Sequence, residues 1–158
     1  MAYMKFIGLG APDKYKDSTA FSDIISYCCQ PSKAIHIGLS HLSSIHTAAS
    51  EMEAVSQRAR QSSGKKLCHV VIAFDRREAQ RFPLETFIQI AEICSKYFSD
   101  RFQILYAIHN EPCIHIHLVW NRVSYVDFKR FLNRYQDQYQ FQSFVYHLLQ
   151  GYHITLWK

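Results

Sequence analysis

The sequence predicts an α+β fold, a mostly antiparallel central sheet of about five strands with helices packed on its faces. Three observations carry this. Apolar and polar positions suggest the element order βααβαββα(β) along the chain. Two strand-like runs, "RFQILYAIH" and "CIHIHLVWN", are joined only by the polar turn "NEP", which reads as an antiparallel hairpin. Several other segments carry apolar residues at i, i+3, i+4 and i+7, the spacing of helices that cover a sheet.

"AYMKFIGLG" reads as a first strand ending in a glycine-rich loop. In "STAFSDIISYCCQPSK" the stripe Phe21, Ile24, Ile25 and Cys28 predicts a short helix that stops before Pro31, with Tyr27 off the stripe. Met52, Val55 and Ala59 give a second helical face, and "SSGKK" reads as a loop. "LCHVVIAF" is a β-branched run and a buried strand. Phe87, Ile90, Ala91, Cys94 and Phe98 line one stripe of a third helix. After the hairpin come a helix over "QFQSFVYHLLQGY" and a last extended piece, "HITLWK".

With 158 residues the chain is expected to form one domain, 1–158, large enough to bury its own core. A hydrophobic fraction of 48% against 20% charged residues excludes a disordered chain. Lys and Arg outnumber Asp and Glu by 18 to 13, which favours a polyanionic partner. Five scattered cysteines with no CxxC pair argue against a disulfide framework and fit a reducing compartment. No membrane segment or export signal is legible, so the expectation is a cytoplasmic protein.

The chemistry is concentrated in "HNEPCIHIHLVWNRVSY". On a strand, His115 and His117 share one face while Ile114, Ile116 and Leu118 share the other. A hairpin returns His109 beside them, so three imidazoles converge as a divalent-metal site with open positions. Imidazole donors alone suit zinc, copper or nickel. Isolated histidines such as His36, His41, His46 and His147 read as ordinary strand or surface residues.

These residues carry a resemblance. "LYAIHNEPCIHIHLVWNRVSYVD" resembles the third motif of relaxases, the mobilisation nucleases of plasmids and integrative elements within the HUH endonuclease group. "KKLCHVVIAFD" is similar to their second motif, and "ISYCCQPSKA" to the segment bearing their nucleophilic tyrosine. The resemblance implies an HUH-endonuclease-like fold and, in bacteria, nicking and rejoining of single-stranded DNA at an origin of transfer through a 5′-phosphotyrosyl intermediate. It makes Tyr27 the nucleophile and His109, His115 and His117 the ligands of magnesium or manganese, with zinc or nickel as substitutes in vitro. His69 would orient the site or take up the phenolic proton, and Asn121 would support the motif. Lys33, Arg122 and Trp120 are the expected DNA contacts, Trp120 as a platform for stacked bases. Relaxosome accessory proteins and a coupling protein are the partners implied.

The match departs from the family at "VDF", where "VDG" is frequent, and in a chain shorter than such domains usually are. Two alternatives therefore stand beside it. One is a relaxase-derived DNA-binding module without cleavage activity. The other is a two-histidine phosphoesterase using "HIT" at 153–155, although "HIH" at 115–117 lacks the required hydroxyl.

Overall fold

The computed structural model describes residues 1–60 and 63–157. Among the described residues, six strands and five helices follow in the order β1 (Ala2–Phe6), α1 (Ala20–Cys28), β2 (Ala34–Ser40), α2 (Ala48–Ser56), β3 (Leu67–Phe74), α3 (Arg76–Arg81), α4 (Leu84–Ser99), β4 (Ile104–His109), β5 (His115–Asn121), α5 (Tyr135–Gln150) and β6 (Leu156–Trp157). The strands form one sheet in the order β2-β4-β5-β3-β1-β6, antiparallel except for the β1–β6 pair. This is the α+β architecture expected, with one strand more than the sequence suggested.

The extra strand is β2. "AIHIGLS" mixes half-buried positions on both faces, so neither an alternating nor a continuous apolar pattern marks it. Its backbone pairs with β4 from Ala34↔His109 to Ser40↔Ile104, and that pairing makes it a strand. The second helix also differs, because α2 closes at Ser56 and leaves Ala59 beyond it. Residues 61, 62 and 158, which the predicted second helix, the "SSGKK" loop and the last strand reach, lie outside the described residues.

Strand alternation divides the interior in two. Ile116, Leu118 and Trp120 of β5, with Tyr106 and Ile108 of β4, pack against Phe87, Ile90, Cys94 and Phe98 of α4 and Phe141, Val145 and Leu149 of α5. The opposite face, with Leu67 of β3, Leu105 and Ala107 of β4 and Val119 of β5, is covered by Phe21, Ile24, Ile25 and Cys28 of α1 and by Met52 of α2. The stripes predicted for α1 and α4 are therefore the faces that the sheet buries. The sheet is sandwiched, and the histidine-bearing face of β5 is itself covered.

Gly38 in β2 stands directly opposite Tyr106 in β4, and the tyrosine ring lies over it. A Cβ built there would fall 2.0 Å from the ring. The absent side chain thus gives the ring its place, from which Tyr106 Oη meets His36 Nε2 at 3.2 Å. Gly38→Ala should therefore cost about 1–3 kcal/mol of unfolding free energy in chemical denaturation, the usual size of an overpacking defect.

Candidate active site

The β4–β5 register sets His109 opposite His115 and Ala107 opposite His117. All three imidazoles therefore lie on the sheet face covered by α1. Their ring centroids are 4.4 to 5.0 Å apart. One nitrogen from each can be chosen so that all three lie within 4.8 Å of one another. A ligand set around a single ion is somewhat tighter, with donors about 3.5 Å apart, so closure needs a shift of about an ångström.

The remaining nitrogens are held in a way that leaves lone pairs for an ion. His109 Nε2 lies 2.7 Å from the carbonyl oxygen of Cys28, and His115 Nδ1 lies 2.9 Å from that of Cys113. A carbonyl only accepts, so each of these nitrogens donates, and in a neutral imidazole the lone pair is then on the other ring nitrogen. His117 Nδ1 lies 2.8 Å from His69 Nε2. His117 Nε2 is buried and has no hydrogen-bond partner among the described residues. An orphaned buried nitrogen beside two imidazoles with free lone pairs fits a divalent metal.

Behind the triad runs a hydrogen-bonded column. His69, on β3, sits between His117 on one side and Tyr15 on the other, with Tyr15 Oη 2.8 Å from His69 Nδ1. Burial pushes the His69 imidazole down to about 4 and lowers that of His117 further, with neighbouring positive charges adding to both. The column is therefore neutral at physiological pH. Burial, then repulsion from Cys28 and Tyr27, raises the Tyr15 phenol to about 12, so it keeps its proton. Both ring nitrogens of His69 are occupied, one by Tyr15 and one by His117.

Tyr15 carried no signal in the sequence. It lies in the loop between β1 and α1, at φ 67, a left-handed conformation that a tyrosine rarely adopts. That loop is pinned from beneath: Lys66 N donates to Tyr15 O, and Lys65 Nζ donates to the carbonyls of Gly8 and Ala11. The clue in the sequence is only the lysine pair that follows the "SSG" loop, and the atoms it holds in the loop before α1 are backbone atoms.

Tyr27 occupies the last turn of α1 and is 46% exposed, as its place off the apolar stripe predicts. Its ring meets the imidazoles of His109 and His117 edge-on at centroid distances of 6.1 and 5.6 Å. Lys33 Nζ lies 4.9 Å from the centre of the same ring. A pocket of about 350 Å³ opens beside them, lined among others by Lys14, Tyr15, Tyr27, His69 and His117. Lys14 is a second cation at this opening that the sequence did not single out.

Three expected contributors lie elsewhere. Trp120 is three residues from His117, an odd step that turns it to the opposite face. There it is fully buried and stacked on Phe98 at 4.0 Å, so it is corrected from a base-stacking platform to a core residue. Asn121 shares the histidine face but sits at the far end of β5, about 13 Å along the strand from His117. It is fully buried, its Nδ2 donates to Met52 O and Gln103 Oε1, and its Oδ1 accepts from Val123 N, so it supports the fold around α2. Arg122 donates to the carbonyls of Phe131 and Leu132, which gives it a structural clasp at that same end in place of the expected DNA contact. His153 precedes β6, separated from β5 by β3 and β1, so the pairing of "HIT" with "HIH" required by a two-histidine phosphoesterase does not form.

No curated protein matches the chain. Among solved structures, the fold is similar to the MobM relaxase domain bound to plasmid pMV158 oriT DNA in a manganese-bound crystal, with a TM-score of 0.65 at 10% identity. The alignment covers 99% of this chain and 87% of that one. The family model for the MobA/VirD2-like relaxase nuclease domain matches residues 27–154, from the candidate nucleophile through the histidine hairpin to just before β6. With that match spanning most of the sequence, the chain belongs to the relaxase family as a MobA/VirD2-like nuclease domain.

Proposed function

We propose that the chain, as one catalytic domain, nicks and rejoins single-stranded DNA at an origin of transfer, with Tyr27 as nucleophile. The observation that carries this reading is the half-exposed phenol of Tyr27 lying edge-on over His109 and His117, with a lysine at 4.9 Å. The MobM neighbour is bound to oriT DNA and manganese, and the same classes of partner suit this chain.

His109, His115 and His117 would hold the divalent ion, manganese or magnesium. When bound, it supplies Lewis-acid polarisation of the scissile phosphate. The residues of the chain do the rest. Tyr27 Oη attacks phosphorus and releases its proton to water at the open face of the pocket. The 3′-oxygen of the preceding nucleotide leaves, takes up a proton, and a 5′-phosphotyrosyl bond remains. Attack by that 3′-hydroxyl reverses the step and reseals the strand. Lys33 and Lys14 offset backbone charge where the DNA approaches. His69 and Tyr15 act at one remove, fixing the tautomer and orientation of His117.

Incubation with manganese and single-stranded origin oligonucleotides should give a covalent protein–DNA adduct on a denaturing gel, and Tyr27→Phe should abolish it. An adduct that survives this change would remove Tyr27 as nucleophile, and DNA binding with no adduct would support a binding module. Tyr15→Phe breaks the outer end of the column, so manganese affinity measured by calorimetry should fall about 10-fold or more, the usual cost of a lost outer-shell bond. Lys33→Ala should weaken binding across sequences and lower the slope of log affinity against log salt by about 1.

A further inference from the structure

Cys28, immediately after the candidate nucleophile, is fully buried and packs on the sheet face that carries the histidines. Its Sγ and one nitrogen each of His69 and His117 lie within 4.8 Å of one another, a second donor set built from different elements: α1, β3 and β5. His117 belongs to both this set and the imidazole triad. The two sets differ in chemistry. Three imidazoles accept a range of divalent ions, whereas a thiolate with two imidazoles selects soft or borderline ions. All three residues of the second set are buried, so an ion there would be shielded from water.

We propose that Cys28, His69 and His117 form a site for thiophilic metals such as zinc or cadmium, and that its occupation withdraws His117 from the imidazole triad. The exclusivity rests on the triad being the manganese site proposed above; the thiolate site itself does not. Binding converts the Cys28 thiol to a metal thiolate and releases one proton to solvent; the proton shared by His69 Nε2 and His117 Nδ1 passes to the second nitrogen of the ring that carries it, with no change in oxidation state. It also breaks the hydrogen bond between His69 and His117, because the nitrogens that exchange it turn to a common ion. A soft metal would therefore act as an inhibitor by dismantling the orienting column as well as by taking a ligand.

Cadmium titrated into the whole protein should produce thiolate-to-metal charge-transfer absorption that saturates at one equivalent. Cys28→Ser should remove the band, while Cys29→Ser and Cys113→Ser should keep it. A band absent from the parent protein, or retained in Cys28→Ser, overturns the proposal. Should Cys28→Ser not fold, X-ray absorption of the zinc-loaded parent decides: a shell containing one sulfur at about 2.3 Å supports the site, and a shell of nitrogen and oxygen alone overturns it. Cys28→Ser should also lower cadmium affinity at least about tenfold more than manganese affinity, a direct ligand being worth more than an outer-shell bond. Manganese remaining bound beside cadmium would overturn the sharing of His117. Failure of the parent protein to bind manganese would instead count against the nicking reading, with the cadmium band still deciding the thiolate site.

Discussion

The register between β4 and β5 is the constraint on which the rest depends. His109 faces His115 across an antiparallel pair, and the convergence of the three imidazoles follows from that alignment. Side chains on a strand have a period of two, so a slip of β5 by one residue would send His115 and His117 into the apolar layer beneath α4 and α5. The same slip would turn Ile116, Leu118 and Trp120 toward α1. Burial on both faces therefore protects the chemistry: large apolar side chains on one side of β5 lock the positions of nitrogen atoms on the other.

The two covered faces divide the work. Beneath α4 and α5 the packing is aromatic and aliphatic, with Phe98 and Trp120 each in contact with Phe131 and Phe141 and with one another. Beneath α1 the layer grades along the strands from Met52, Leu67 and Val119 into imidazoles. Desolvation keeps the imidazoles of His69, His109 and His117 neutral, and a neutral imidazole can donate from one nitrogen and accept on the other. The loop before α1 completes this layer by spending an unfavourable backbone conformation at Tyr15 to seat a phenol on His69.

Much of this was legible before any coordinates. The α1 and α4 stripes, the hairpin and the sharing of a face by His115 and His117 follow from periodicities that local sequence carries. What was not legible depended on partners distant along the chain. β2 becomes a strand through its pairing with β4, and its own residues alternate too weakly to announce it. Tyr15 joins the site because lysines some fifty residues later hold its loop by backbone atoms. Trp120 is a different case, since parity alone places it opposite His117. The aromatic surplus drew attention to a residue that the strand period excludes from the site. Asn121 and Arg122 follow the histidine motif closely in sequence, yet a strand carries them to the other end of the sheet.

One bond described above ties two functions to a single rigid body. The carbonyl that anchors His109 belongs to Cys28, the residue next to Tyr27 in the last turn of α1. Helix and imidazole therefore move as a lever with one fulcrum, and no independent adjustment of the Tyr27 phenol against the His109 imidazole is open to the chain without breaking that bond. Variation in the segment from Cys29 to Lys33 can change what approaches the pocket while the phenol and the imidazole keep their spacing. The helix terminus, commonly the frayed part of such an element, is here the gauge against which the active groups are set.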